Sequence, residues 1–240
     1  MFRKAFKFIK NFIVLFFLIS IGWVIIYRFV PVMVTPLMLI RTAESVFSGE
    51  TPKISKKWVP IDKISHNMIQ AAVAAEDDQF LHHHGFSFEA INQAIEHNKR
   101  SRRIRGGSTI SQQTAKNVFL WPQRSYIRKG LEAYFTVLIE LFWSKERIME
   151  VYLNVIEMGD GIYGVETASM EYFGKHASKL TKSEAALIAA CLPNPRRFNP
   201  AHPSGYVLKR QGRIMAMMNK IEPVHFERPK FKFLKHKKQK

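Results

Sequence analysis

Apolar side chains recur at helical spacing over most of the chain from about Ile64 onward. The clearest segments are residues 66–76, 125–143, 145–158 and 180–195, where apolar positions follow one another at intervals of three and four. Residues 66–76 are also rich in alanine, the strongest helix former. No sustained alternation of apolar and polar residues predicts a large sheet. We therefore expect a mainly α domain.

Residues 180–195 contain their own helix start and stop signals. Thr181 and Glu184 have the spacing of a capping box, and an apolar run follows them. Pro193 and Pro195 predict the end of this helix. Cys191, the single cysteine of the chain, lies in the apolar run. It cannot form an intramolecular disulfide, and we expect a small buried side chain there.

The N-terminus has the pattern of a membrane anchor. Residues 1–11 carry four positive charges and no acid, and Phe12–Tyr27 then contains no charge. This stretch is slightly shorter than the ~20 residues that span a bilayer core, but Lys10 and Arg28 can snorkel to the interfaces. No A-x-A-like cleavage site follows, which favours an anchor over a removed signal peptide. The basic flank predicts a cytoplasmic N-terminus, with the rest of the chain outside the cytoplasm.

These patterns divide the chain into three parts. Residues 1–40 form a basic N-terminus, a transmembrane anchor and a second apolar stretch broken by Pro31 and Pro36. That second stretch, Phe29–Ile40, fits either an interfacial helix or an irregular segment. Residues 41–220 form the folded domain, and residues 221–240 form a basic tail.

The net charge of +18 favours an anionic partner: nucleic acid, a phosphate-bearing substrate or a membrane surface. Placement outside the cytoplasm argues against nucleic acid. Basic residues cluster in Lys99–Arg105 and Arg228–Lys240. These runs fit either solvated segments or attraction to anionic lipid headgroups.

Three acids and three histidines lie within Glu76–His84, directly after the alanine-rich helix. A metal site, a catalytic acid or base and a solvated helix end all fit this composition. A zinc site is the weakest of these alternatives, because consecutive histidines point in different directions and no second Cys/His cluster completes a tetrahedral set.

Hydrogen-bonding side chains also crowd residues 105–117, RGGSTISQQTAKN, at the start of a predicted helix. A helix N-terminus preceded by glycines can receive phosphate oxygens, but a capped surface helix is equally compatible with this stretch. Further along, Arg128 and Glu132 are four residues apart and fit an ordinary ion pair on one helix face.

In this order the motifs resemble the peptidoglycan glycosyltransferases, the lipid II polymerases of bacterial cell-wall synthesis. The family pattern E-D-x-x-F-x-x-H-x-G is matched by Glu76, Asp77, Phe80, His83 and Gly85. The pattern G-x-S-T-I-[ST]-Q-Q followed by K-N is matched within 106–117, and R-K-x-x-E by Arg128, Lys129 and Glu132. Residues 145–154 and 185–200 also match, so the resemblance covers about 61–200. Asp78 departs from the family, where a basic residue is common.

The resemblance implies a lysozyme-like large helical lobe and a small membrane-proximal lobe, preceded by one transmembrane helix. It implies that 41–220 is a glycosyltransferase domain that polymerises lipid II, with inversion at the donor anomeric carbon and release of polyprenyl pyrophosphate. No S-x-x-K transpeptidase motif is present, so we expect the monofunctional type. We also expect a bacterial cytoplasmic (inner) membrane protein with its catalytic domain on the periplasmic or outer face.

The resemblance also assigns roles to residues. Glu76 is the general base, and we expect Asp77 and Asp78 to raise its pKa by like-charge repulsion. Glu132 is the second catalytic acid and orders nearby cations or holds a divalent ion together with substrate phosphates. Substrate or pyrophosphate binding falls to Ser108, Gln112, Gln113, Lys116, Asn117, Arg124, Arg128 and Lys129. Supporting roles fall to Asp77, Phe80, His83 and Gly85, with His83 as a structural hydrogen-bonding residue.

The expected cofactor is Mg²⁺ or Mn²⁺, bound mainly through the substrate pyrophosphate. We expect no organic cofactor. Expected partners are lipid II, the growing glycan strand and the bilayer, together with other cell-wall synthesis or division proteins. Two other functions remain open: a lysozyme-like hydrolase, and a membrane-tethered scaffold without catalysis.

Overall fold

The computed structural model describes residues 2–100 and 106–226 of the chain. The predictions for Arg102, Arg103 and Arg105 in the first basic run, and for the tail from residue 227 onward, lie outside the described residues. Secondary structure is mainly helical, as the sequence pattern predicts.

Helix α1, Phe2–Phe29, is longer than the uncharged stretch that predicted it. It is long and apolar enough to cross a membrane, and among the described residues no other helix meets that test. Most of its apolar side chains are exposed, as in a helix surrounded by lipid. A basic N-terminal end continuing into an apolar helix fits single-pass anchoring.

The second apolar stretch is partly irregular and partly helical, and a position at the membrane interface stays a prediction. Residues 30–35 are irregular, and α2, Pro36–Phe47, follows them. Thr35 caps this helix by accepting a hydrogen bond from the Met38 N–H, and Pro36 occupies the first helical position, where its missing N–H costs nothing. The boundary that we expected at residue 40 therefore falls inside α2.

The remaining helices form the domain. They are α3, His66–Glu76; α4, Phe88–Arg100; α5, Ile110–Phe119; α6, Tyr126–Phe142; α7, Lys145–Val155; α8, Val165–Phe173; α9, Lys182–Cys191; and α10, Gly205–Lys220. The predicted capping box of Thr181 and Glu184 is present, and α9 ends two residues before Pro193. Serine or threonine hydroxyls also cap α3, α5, α6, α7 and α10.

A small sheet joins distant parts of the chain. Its strands are β1, Ser55–Lys56; β2, Glu157–Gly159; and β3, Ile162–Tyr163, in the order β1-β3-β2. Strand β1 is parallel to β3, and β2 is antiparallel to β3. Strands of two or three residues are too short to produce an alternating pattern, which is why the sequence did not reveal them.

Small side chains allow close packing around the helix that ends at Glu76. Helix α3 packs on α9 and α10, and Ala71, Ala72, Ala185 and Ala189 are fully buried. Cys191 is buried at the end of α9, as predicted. Helices α5, α6 and α7 pack together beside this group. The two helix groups hold α3 and α5 in place, and these helices carry most of the motif residues.

Helix α1 is docked on the domain rather than tethered by a free linker. The Ser20 hydroxyl lies 2.7 Å from the Tyr134 hydroxyl, and the Trp143 indole N–H donates to the Val24 carbonyl at 2.8 Å. Arg147 donates to the Tyr27 carbonyl at 2.8 Å. Because these bonds use α6 and α7, the domain has a fixed position relative to the helix.

Candidate active site

Glu76 is the last residue of α3, and its carboxylate meets side chains from two other helices. The Gln113 amide on α5 donates to Oε2 at 2.9 Å, and the Arg210 guanidinium on α10 lies 3.4 Å from Oε1. The Glu76 side chain is 17% exposed, so the carboxylate is screened from bulk water while remaining accessible.

Burial raises the pKa of the Glu76 carboxyl, because water is removed from its charged form. The Gln113 hydrogen bond and the charges of Arg210 and Lys116 oppose the rise, while Asp77 adds to it. Our prediction that the neighbouring acids raise this pKa is therefore right for Asp77, but burial and not like-charge repulsion is the main cause of the rise. Asp78 is exposed to solvent and is not among the main causes.

Asp77 is buried and holds the site together. The imidazole of His83 lies 2.9 Å from its Oδ2, and the Ile110 backbone N–H donates to the same oxygen at 2.9 Å. The Gly85 N–H donates to His83 Nδ1 at 3.1 Å, so in a neutral ring the proton lies on Nε2 and is donated to Asp77. The Asp77 carboxylate thus lies at the N-terminus of α5, where the helix dipole favours negative charge.

Gly85 allows the turn that contains the three histidines, residues 82–84, to approach α6. Its φ of 89° is in the region that favours glycine, and a Cβ there would lie 2.7 Å from Thr136 Cγ2. The Gly85 carbonyl accepts a 2.6 Å hydrogen bond from the Thr109 hydroxyl. Phe80 is fully buried under this turn, with the Lys145 ammonium 4.7 Å from its ring centroid. The turn is thus hydrogen-bonded to the N-cap of α5 and packs closely against α6.

The two glutamines of the second motif have different surroundings. Gln112 is buried, and its Oε1 accepts a 3.0 Å hydrogen bond from the Thr109 N–H in a capping box at the start of α5. This contact gives it a positioning role at the start of α5, and its predicted substrate contact stays a prediction. Gln113, the next residue of α5, donates a hydrogen bond to Glu76. Ser108 precedes the cap and is exposed.

Lys116 and Asn117 lie about two turns into α5 and are half-buried. Burial lowers the pKa of the Lys116 ammonium, Glu132 and Glu76 oppose that shift, and Arg128 and Lys129 add to it. Lys116 therefore lies in the fields of both acids. Within 2–100 and 106–226 it forms no ion pair.

The third motif forms a compact ion cluster on α6. Arg128 donates to Glu132 Oε2 at 2.9 Å, and Lys129 donates to Oε1 at 2.5 Å. Arg128 and Glu132 are both buried, whereas the Lys129 side chain is half exposed. Arg124 lies before α6 and is exposed. The ion pair predicted from the four-residue spacing is confirmed, with Lys129 as a second partner.

Comparisons with known proteins show the family of this chain. A family profile described as transglycosylase matches residues 44–219. The chain belongs to the transglycosylase family. Its similar relatives include the biosynthetic peptidoglycan transglycosylase of Bacteroides thetaiotaomicron, 52% identical over 99% of this chain and 97% of the relative. Proteins of the same name from Bdellovibrio bacteriovorus and Caulobacter vibrioides are 56% and 52% identical, over 90% and 87% of this chain and 86% and 90% of the relatives.

Membership of the transglycosylase family makes the chain a glycosyltransferase enzyme and confirms the resemblance found in the motifs. The profile begins inside α2 and ends inside α10.

The transglycosylase site offers few ligands for a resident metal. Both Glu132 oxygens already accept hydrogen bonds from cations. No group of three or more His, Cys, Asp or Glu side chains able to hold an ion occurs in the described part of the chain. Glu132 fits a divalent ion only as one ligand among substrate oxygens.

An apolar groove of about 520 Å³ is lined in part by residues of α5 and α6, the helices that carry the cations. It lies between α1 and the domain, and its lining includes Phe16, Trp23, Leu39, Phe119 and Phe135. Phe119 is three residues beyond Lys116 on α5, and Phe135 is three residues beyond Glu132 on α6. The cations and the groove are therefore neighbours along two helices.

Arg210 is the site residue that sequence reasoning missed. It lies in the amphipathic helix α10, 134 residues after Glu76, and no local motif distinguishes it from the other basic residues of that helix. Only the packing of α10 on α3 brings its guanidinium to the carboxylate.

Proposed function

We propose that this enzyme is a membrane-anchored peptidoglycan glycosyltransferase that polymerises lipid II into glycan strands, with inversion at the donor anomeric carbon and release of polyprenyl pyrophosphate. The observation that carries the proposal is one site that joins a buried carboxylate of raised pKa to a cation cluster and an apolar groove. The names of the relatives support the peptidoglycan substrate.

Glu76 acts as the general base. As the acceptor 4-hydroxyl oxygen bonds to the donor anomeric carbon, its proton passes to the Glu76 carboxylate and the bond from that carbon to the phosphate oxygen breaks. A base is most effective when its pKa lies near the working pH, and burial moves the Glu76 pKa in that direction. Gln113 and Arg210 hold the carboxylate in one orientation.

The departing pyrophosphate is stabilised by cations. Lys116 contributes an ammonium without an ion pair among the described residues, and Lys129 contributes one that is half exposed. The Arg128 Nε is buried with no hydrogen-bond partner in the described structure, and a phosphate oxygen would satisfy it. Exposed Arg124 adds a further charge beside α6. Mg²⁺ or Mn²⁺ would bind mainly to the pyrophosphate oxygens and add positive charge there.

The groove beside α1 fits the polyprenyl chain of the substrate, because its residues Phe119 and Phe135 follow Lys116 and Glu132 by about one helical turn. Exposed Tyr126, Ile127 and Leu141 on α6 would face lipid near α1. We assign the enzyme to the bacterial inner membrane, with a cytoplasmic N-terminus and the domain on the opposite face, where it would meet other cell-wall synthesis proteins.

The hydrolase alternative also uses a carboxyl of raised pKa, as a general acid. The ion cluster on α6 and the docked membrane helix favour a lipid pyrophosphate donor instead. A scaffold would have no use for a buried carboxylate poised between cations.

The test is the full-length protein in bilayers with labelled lipid II and a divalent ion, compared with its Glu76→Gln variant. We expect long glycan strands from the wild type and none from the variant. Shortening of preformed glycan would support the hydrolase, and absence of both activities would support the scaffold.

A further inference from the structure

A second cavity, of about 840 Å³, lies away from the residues assigned above. Its walls are the second half of α2, the segment before β1, the β2–β3 hairpin and the turn after α9. Arg196 lies in the 185–200 motif, but the other lining residues belong to no motif, and the proposed chemistry uses none of them.

The cavity is lined by charges of both signs. Its cations are Arg41, Lys53 and Arg196, and its acids include Glu44, Glu157 and Asp160. Two ion pairs lie at its edge, Arg41 with Glu44 and Arg196 with Asp160, each at 2.8 Å. A purely anionic ligand such as phosphate would meet the acids, and a simple cation would meet the arginines.

Polar atoms in this region lack partners. Glu157 Oε1 and Arg41 Nε, both from lining residues, are buried with no hydrogen bond in the described structure. The hydroxyl of fully buried Tyr163, on the adjacent strand, is also unpaired there. Leaving such groups unsatisfied costs free energy, and a ligand that both donates and accepts hydrogen bonds would recover it.

Burial raises the pKa of the Glu157 carboxyl, and the charges of Arg41 and Arg196 only partly offset this effect. An ammonium from a ligand would supply the missing positive charge. Arg41 would in turn accommodate a carboxylate or carbonyl oxygen through its unpaired Nε.

The cavity wall is preformed. Gly161, at the hairpin turn, has a φ of 71°, and a Cβ there would lie 2.3 Å from the Lys53 carbonyl oxygen. The Ser55 N–H donates to the Gly161 carbonyl at 2.8 Å. The hairpin therefore packs directly on the backbone that leads into β1, and glycine is required for that approach.

The cavity and the candidate active site are linked through α9 and α10. Burial raises the pKa of the Cys191 thiol to about 12, and the nearby Arg210 guanidinium opposes that rise. Arg210 pairs with Glu76, while Arg196 is five residues beyond Cys191 in the turn that lines the cavity. The cavity and Glu76 are therefore both attached to the packed pair of helices α9 and α10.

We propose that this cavity binds the stem peptide of the peptidoglycan precursor, with Glu157 receiving a side-chain ammonium and Arg41 a carboxylate or peptide carbonyl. The proposal rests on the proposed function, because it takes the peptide-bearing disaccharide as substrate. Among the parts of that substrate, the stem peptide carries both ammonium and carboxylate groups, which matches the mixed charge of the walls.

The test uses binding, which does not depend on turnover. A soluble muramyl peptide with a free side-chain ammonium is titrated into the full-length protein in detergent, using calorimetry, and the same peptide with that ammonium acetylated is compared. Glu157→Gln keeps the side-chain shape and removes the charge. Glu171→Gln, an exposed acid on α8, is the matched control.

We expect Glu157→Gln to weaken binding of the free-ammonium peptide about tenfold, the effect of one charged hydrogen bond. Acetylation should weaken binding to the wild type to a similar extent and should have little further effect in Glu157→Gln. The Glu171→Gln control should bind like the wild type.

Absence of binding to the wild type would overturn the proposal, and so would equal losses for both peptides in Glu157→Gln. Polymerisation of lipid II by the same preparations separates the two proposals. Binding with the expected pattern but without glycan strands would contradict the proposed function and leave the peptide site in place. Glycan strands without peptide binding would do the opposite.

Discussion

Glu76 and Glu132 are both carboxylates at the ends of sequence motifs, but their surroundings differ. Glu76 has an amide at 2.9 Å and a guanidinium at 3.4 Å, and burial raises its pKa. Glu132 is held between Arg128 and Lys129 at 2.9 and 2.5 Å. One site leaves the carboxylate able to accept a proton, and the other uses it to fix two cations. Neighbours rather than residue type decide these roles.

The largest effect is expected from Glu76→Gln, which removes the base and keeps the shape. Turnover of lipid II should fall by about 10²–10⁴-fold. A carboxyl whose pKa is raised on folding reduces stability as pH rises through the interval between its ordinary and raised values. The variant should therefore have an unchanged or higher melting temperature at neutral pH. Polymerisation near the wild-type rate would remove Glu76 from its role.

Glu132→Gln, unlike Glu76→Gln, should lower the free energy of unfolding. It leaves the buried Arg128 without its charge partner, which costs about 3–5 kcal/mol when a buried ion pair is broken. Chemical denaturation of the detergent-solubilised protein should show this loss, whereas Glu76→Gln should not. Equal stability of the two variants would contradict the distinction between Glu76, which is available to accept a proton, and Glu132, which is held in an ion pair.

Lys116→Ala tests whether the two acids share one electrostatic field. The charges of both acids act on its ammonium, and its loss should slow turnover about 10²-fold by removing leaving-group stabilisation. Lys220→Ala, an exposed lysine at the end of α10, is the matched control and should retain full activity. If both lysine variants had the same activity, Lys116 would not stabilise the leaving group.

Arg210→Met should have the smallest effect, and it depends on pH. The cation lowers the pKa of Glu76, so its removal should raise that pKa further. Because the base must be deprotonated, the acid limb of the pH–rate profile should move to higher pH while the rate above that limb changes little. Gln113→Leu should shift the limb in the same direction. A shift to lower pH in either variant would show that these contacts do not act on Glu76.

The helices show how far sequence patterns alone could lead. Apolar periodicity and the Thr181 capping box located α3, α6, α7 and α9, because local propensity and caps act within one turn. The same patterns underestimated α1, since its basic first turns belong to the helix without being apolar. They missed the small sheet, whose pairing joins Ser55 to Ile162 across more than a hundred residues.

The motif segments show the same division. The order of the motifs identified the family and located Glu76, but Gln112 and Gln113 were indistinguishable as adjacent amides. The capping box turned one toward Thr109, while helix packing turned the other toward Glu76. Asp77 was expected to act mainly by charge repulsion, yet its chief contacts are His83 and the Ile110 N–H.

The sequence by itself determined the helical class, the apolar N-terminal segment and the family, because these follow from composition, periodicity and motif spacing along the chain. Only the tertiary structure decided which carboxylate is poised, which is paired, and that Arg210 and the mixed-charge cavity exist. Those features depend on burial and on contacts between residues far apart in the chain, and both arise only when α3, α5, α6 and α10 pack together.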